Sequence, residues 1–126
     1  MKPVFDSIDR LGDALAFHRE RHAVLAGNVA NVDTPGYQPV DLAPVEGGGT
    51  TGLAMRRTDA GHLAGPATTG GARVITDPSP AGADGNAVDL ERELAKVDAN
   101  RVRYGACAEL ATRRLALLRY AASDGK

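Results

Sequence analysis

Two histidines four residues apart provide the spacing at which a helix presents two metal ligands on one face. They are His18 and His22, and His62 is the third histidine of the sequence. A zinc site needs three or four ligands, and beyond His62 only carboxylates remain to complete one. We therefore interpret His18 and His22 as polar residues within a helix-packing surface, which would be sensitive to pH, and expect no metal or other cofactor. A small helical hairpin that senses metal or pH is the alternative.

The remaining reactive residue types form no catalytic arrangement. Cys107 is the only cysteine, which excludes an internal disulfide and a cysteine-based zinc cluster, and no histidine is near it in sequence. The acids Asp89, Glu91 and Glu93 suit compensation of a helix dipole rather than acid–base chemistry. The glycine runs lack the Lys-Ser/Thr of a phosphate-binding loop. We therefore predict that the protein is not an enzyme.

Charge and hydropathy exclude several classes of partner. The 126 residues carry 15 Lys and Arg against 16 Asp and Glu, a balance that argues against nucleic acid and anionic membranes. No apolar run approaches the ~20 residues of a membrane span, so membrane insertion is not expected. A signal-peptide core within the first 15 residues would be interrupted by Asp6, Asp9, Arg10 and Asp13. If the protein leaves the cytoplasm, we expect it to do so without a cleaved Sec-type signal.

Glycine and proline divide the chain into three segments. Of the 15 glycines, 11 lie within 33–86, and so do 6 of the 7 prolines. Because both residue types interrupt regular elements, we predict a single domain, 1–126, with a helix over 4–32, an irregular middle over 33–86 and a helix over 87–122. Two short runs of the middle, 53–58 and 72–76, have the composition of strands.

Both terminal segments show apolar residues at alternating spacings of three and four, which is typical of helices that pack on helices. The first helix should end before Pro35, and either Asn86 or Asp89 should cap the second. The predicted fold is mainly α, a coiled-coil-like antiparallel pair of long helices joined by the Gly/Pro-rich middle with at most short strands. Two narrow seams bury little area, so we expect the core to be completed by other chains rather than in a monomeric hairpin. The seam residues are Ile8, Leu11, Leu15, Leu25 and Val29 in the first helix and Leu90, Leu94, Val97, Leu115 and Leu118 in the second.

A motif at the end of the first helix resembles the N-terminal signature of the flagellar axial proteins, the rod and hook family. That signature is an Asn-Ile-Ala-Asn stretch followed closely by Thr-Pro-Gly-Tyr, with Val29 here in place of isoleucine. Its side chains suit a helix end, because Asn28 and Asn31 can bond open carbonyls and Gly36 can take the third position of a type II turn. The matching residues are Asn28, Ala30, Asn31, Thr34, Pro35, Gly36 and Tyr37.

Within that family the chain is most similar to the small proximal rod proteins. Asn86, Asp89 and Tyr104 match the entry and middle of the last helix of one of them. The sister proximal rod protein FlgC is the alternative, but Val102 and the residues after Tyr104 depart from its pattern. The short chain excludes the distal rod and hook proteins, which carry a large inserted domain.

The resemblance implies a structural subunit of the proximal rod, in the periplasmic part of the basal body, which transmits torque. It also implies export through the flagellar type III apparatus. The partners implied are further copies of the chain, FlgC and the distal rod, with FliE, the MS ring and the export gate at the base. Copies would join head to tail in a helical assembly that does not close.

Overall fold

Two long helices dominate the structure. The computed structural model describes residues 2–45, 72–78, 82 and 85–123. The helices have 29 and 33 residues, or lengths of about 44 and 50 Å at 1.5 Å per residue. The mainly α fold with two long terminal helices is therefore confirmed. In chain order the elements are α1 (Lys2–Ala30), β1 (Val40–Pro44), β2 (Ala72–Thr76) and α2 (Leu90–Ala122).

The two helices run antiparallel, as three contacts along their length show. Asn28 near the end of α1 contacts Glu93 near the start of α2. His18 contacts Asn100 in the middle, and Ser7 near the start of α1 contacts Arg114 near the end of α2. Along the helix pair, residue numbers therefore rise on α2 as they fall on α1.

The two strands form one antiparallel ribbon beside the helix pair. Val40 is opposite Thr76 and Leu42 is opposite Val74. The strand predicted at 72–76 is confirmed. Its partner Val40–Pro44 was missed because Asp41, Pro44 and the preceding Pro39 are poor strand formers. The predicted strand at 53–58 lies outside the described residues.

The elements begin and end with the local chemistry expected of them. Asp89 is the N-cap of α2, and its side chain accepts a hydrogen bond from the Arg92 N–H at 3.2 Å. After α1, the Tyr37 N–H donates to the Thr34 carbonyl at 3.2 Å. Gly36 in this turn has φ = +73°, which is the left-handed conformation that a type II turn requires of its third residue.

The inward face of α2 differs from the predicted seam, and this corrects the sequence analysis. Leu25 on α1 is fully buried and its other predicted seam residues are partly buried. On α2, however, Leu90, Leu94 and Leu115 are 42–53% exposed. The positions that face α1 are instead polar, because Glu93 and Asn100 are buried in hydrogen bonds. The same face also carries Val97 and Leu118, which are half-buried.

Neither described helix has the unbroken apolar length that a bilayer crossing requires. Cys107 is half-buried on α2 with a free thiol.

Candidate assembly site

The fully buried side chain of Asn28 joins three parts of the fold. Its amide nitrogen donates to the Val40 carbonyl and to Glu93 Oε2, both at 2.7 Å. Its amide oxygen accepts the Val40 N–H at 3.1 Å and the Tyr37 hydroxyl at 3.2 Å. Both donor protons and both acceptor positions of the amide are thus used. Asn28 therefore positions β1, the turn and α2 at once, which aspartate cannot do because it lacks the two donors.

A chain of charged groups continues from Asn28 to the end of β2. Glu93 Oε1 accepts from Lys96 Nζ at 2.5 Å, and Lys96 also donates to Asp77 Oδ2 at 2.7 Å. Asp77, just after β2, further accepts from Arg92 at 2.6 Å on both carboxylate oxygens. Two carboxylates and two cations therefore balance in charge. We call these residues the polar cluster: Asn28, Tyr37, Asp77, Arg92, Glu93 and Lys96.

Burial and ion pairing shift the pKa of Lys96 in opposite directions. Its partial burial lowers the pKa of the ammonium group, but the hydrogen bonds to Asp77 and Glu93 outweigh burial and raise that pKa above its ordinary value. Lys96 is therefore charged wherever the protein is folded under ordinary conditions.

A second ion pair ties β1 to α1. The Arg21 guanidinium donates to both carboxylate oxygens of Asp41 at 2.7 Å, and Asp41 also accepts the Leu42 N–H at 2.7 Å. Burial raises the pKa of the Asp41 carboxyl, but the hydrogen bonds from Arg21 and Leu42 outweigh it and hold the pKa below its ordinary value. Two parallel bonds in this fork geometry fix orientation as well as distance.

The middle of the helix pair is also held by polar groups. His18 Nδ1 lies 2.8 Å from Asn100 Oδ1, and Asn100 Nδ2 donates to the His18 carbonyl at 2.8 Å. His18 thus faces a polar partner across the helix pair, as the sequence analysis proposed, whereas His22 is exposed. Across the described ranges no three His, Cys, Asp or Glu side chains gather as a metal site would require. His62 lies outside those ranges.

The rest of the signature closes the end of α1. Asn31 Nδ2 donates to the Gly27 carbonyl at 2.8 Å, and the Thr34 hydroxyl donates to Asn31 Oδ1 at 3.2 Å. Across the pair, the Asn86 amide donates to the Val32 carbonyl. Signature residues therefore act locally through Asn31 and at long range through Asn28. Ala30, Pro35, Asp89 and Tyr104 are exposed.

Large apolar side chains remain exposed along α2. Leu94 is 50% and Leu115 is 53% exposed, and Leu117, only two residues later, is 69% exposed. At about 100° per residue, Leu115 and Leu117 lie on nearly opposite sides of the helix. The apolar surface of α2 therefore faces in more than one direction. Its other exposed members are Leu90, Val102, Tyr104, Leu110 and Tyr120.

Sequence reasoning missed the long-range members of this site. Glu93 was assigned to the helix dipole, but it is 1% exposed and bonded to Asn28 and Lys96. Arg21, Asp41 and Asp77 gave no signal, because the partner of each is 15 or more residues away in sequence. One available signal was the pair of asparagines in the signature, since an amide on an inward helix face needs a polar partner.

Comparison of the sequence with known proteins identifies a family that contains this signature. The family described as "Flagella basal body rod protein" matches residues 11–38, which contain the whole signature. The flagellar basal body rod protein FlgB of Salmonella typhimurium is 36% identical over 118 residues, covering 77% of this chain and 83% of that protein. FlgB of Cereibacter sphaeroides is also 36% identical, covering 85% and 88%. FlgB of Escherichia coli K12 is 35% identical, covering 77% and 83%.

Proposed function

Because this chain belongs to the FlgB family of flagellar basal body rod proteins, we propose that it builds the proximal rod by packing the exposed faces of its helices against neighbouring subunits. The chain is a structural subunit of the rod, located in the flagellar basal body, and it assembles with other rod components. Its relatives are structural proteins, and the matches favour neither FlgC nor a metal- or pH-sensing hairpin.

The observation that carries the proposal is the apolar surface of α2. The face of α2 that meets α1 is partly polar, while leucines at 94, 115 and 117 are half or more exposed. Exposed apolar surface of this kind marks contact with other proteins. Because it extends to opposite sides of the helix, it suits a subunit with neighbours on several sides.

The details of the assembly belong to the same proposal. Copies of the chain join head to tail, and the contact does not close on itself, which generates a helical rod. FlgC and the distal rod continue the structure, and FliE, the MS ring and the export gate lie at its base. The chain forms one domain over 1–126, reaches the rod through the type III apparatus and transmits torque there.

Charge introduced on the exposed face tests this proposal. Leu94→Asp and Leu115→Asp should leave folding nearly unchanged, because both side chains are already half exposed. In the rod, either aspartate would be buried without a partner and should abolish assembly. Circular dichroism of the purified chain and motility of a strain that carries only the variant measure the two effects.

Ala99→Asp is the matched control for the loss of a leucine side chain, because Ala99 is exposed and small. It adds the same charge to the same helix without altering a large apolar contact. We expect it to disturb assembly less than either leucine variant. A strain that swims normally with Leu94→Asp and Leu115→Asp would refute the proposed surface.

A further inference from the structure

The two outer edges of the ribbon differ in whether their backbone groups have hydrogen-bond partners among the residues that the structure describes. The Asp77 N–H donates to the Pro39 carbonyl at 3.0 Å, which fixes the pairs that exchange ladder bonds. By alternation, Asp41 with Ile75 and Ala43 with Arg73 exchange bonds within the ribbon. The backbone groups of the intervening residues point away from it. These are Val40, Leu42 and Pro44 on β1 and Ala72, Val74 and Thr76 on β2.

The outer edge of β1 is closed by this chain's own groups. Asn28 binds both the N–H and the carbonyl of Val40. The Asp41 carboxylate takes the Leu42 N–H at 2.7 Å, and Pro44 has no N–H to offer. No outward N–H of β1 is left for another strand.

On the outer edge of β2, neither a hydrogen bond from a described side chain nor a proline protects the backbone groups. Within the described part of the chain, no group bonds the outward N–H or carbonyl of Val74 or Thr76. Val74 is 65% exposed and Ile75 is exposed beside it. Edge strands are normally protected by proline, charge or a covering element, and a two-stranded ribbon is only marginally stable. An accessible edge on an apolar strand is a template for a third strand.

We propose that the outer edge of β2 accepts an extended segment of a different rod component, which adds a third strand to the ribbon. The proposal rests on the proposed function, since it requires a rod partner. Pairing of β2 with β2 of a second copy would be two-fold symmetric, and a head-to-tail rod with one direction does not accommodate it. Among the described residues the other strand, β1, is already engaged. The occupant is therefore neither β1 nor a second β2, and we assign it to another rod component.

The side chains next to the edge specify the chemistry of the donor. Val74 lies on one face of β2 and requires an apolar cross-strand neighbour. Arg73 lies on the opposite face, so a carboxylate on the donor would pair with it. The donor is thus an extended segment with an apolar residue at one position and an acidic residue next to it.

A proline placed at Val74 tests the edge selectively. The Val74 N–H points outward, so Val74→Pro removes a donor from the edge without removing a bond between β1 and β2. We expect Val74→Pro to keep the circular dichroism spectrum of the native chain and to lose rod assembly. Val74→Thr keeps the N–H and the branched side chain, and it should assemble normally. Normal assembly with Val74→Pro would overturn the proposal.

A crosslink identifies the occupant even if the proline variant fails to fold. A chain with Cys107→Ser and Val74→Cys carries one thiol, which a benzophenone maleimide converts into a photo-crosslinker for assembled basal bodies. A product whose mass is this chain plus a different rod protein supports the proposal. A product of two copies joined through position 74, or no product, would overturn it.

Failure here is distinguishable from failure of the proposed function. If Leu94→Asp blocks assembly while Val74→Pro does not, the helix surface is retained and the strand edge is rejected. If Leu94→Asp has no effect, the proposed helix surface itself is wrong.

Discussion

The two ends of the helix pair are built on different principles. At the end that holds the polar cluster, the side chains of buried Asn28 and Glu93 are fully hydrogen-bonded. No buried side-chain nitrogen or oxygen among the described residues lacks a hydrogen-bond partner. At the other end, the ion pair of Glu109 and Arg113 lies in solvent, 64% and 72% exposed, and Leu117 is more exposed than buried. Buried polar bonds hold one end together within a single chain, whereas the other end has only exposed polar contacts among its described residues.

The buried polar groups determine how the two helices pair, whereas the exposed leucines are available for assembly. Buried polar groups fix the register of the two helices, because a slip of one residue would strand Asn28 or Asn100 without a partner. Exposed ion pairs contribute little to stability, so the far end has little to hold it in the isolated chain. Its leucines are instead available to contacts in the rod.

The largest expected effect is loss of the polar cluster. Asn28→Asp removes both donors and places a carboxylate beside Glu93, where the present contact is 2.7 Å. We expect the free energy of unfolding to fall by roughly 3 kcal/mol or more, the range for an uncompensated buried charge. Urea denaturation at neutral pH measures it. The deficit should shrink in acid as one carboxyl takes up a proton.

Asn31→Asp is the control for that variant, because Asn31 makes only local bonds at the helix end. Asn31→Asp should lower the free energy of unfolding clearly less than Asn28→Asp does. Equal losses would show that the long-range bonds of Asn28 are not what holds this end together.

A smaller effect is expected at the turn between α1 and β1. Gly36 has φ = +73° and no atom near an added Cβ, so Gly36→Val meets backbone strain alone. A cost of about 1–2 kcal/mol follows from the left-handed conformation. Gly27 is helical with equally open surroundings, and Gly27→Ala should stabilise by about 0.5–1 kcal/mol. Thermal unfolding of both variants should show shifts of opposite sign, and a shared direction would contradict this assignment.

The smallest expected effect concerns Asp41 and acid. Because the folded pKa of Asp41 lies below its ordinary value of 3.8, its contribution to stability is present above that value and is lost as pH falls through the folded pKa. Asp41→Asn should therefore lower stability at neutral pH and flatten its dependence on pH below about 4. Denaturation midpoints at a series of acidic pH values measure this slope, and an unchanged slope in Asp41→Asn would assign it to other carboxyls.

The sequence predicted the elements that depend on residues close to one another in the chain. The spacing of apolar residues identified both helices, and Pro35-Gly36 identified the turn with positive φ. It did not predict β1, because Pro39 and Pro44 oppose a strand and because the position of β1 depends on Asn28 and Arg21 of another element. It also did not place Glu93 and Asn100 on the inward face of α2, because their partners are 65 and 82 residues away in the sequence.

Hydrogen exchange of the purified chain, residues 1–126, tests most directly the claim that only the end with the polar cluster is held together without neighbours. We expect strong protection for amides around Asn28 and from Glu93 to Asn100, and fast exchange from Leu110 to Tyr120. The same amides at 110–120 should become protected in assembled rods. Equally strong protection along the whole of both helices in the monomer would contradict the account.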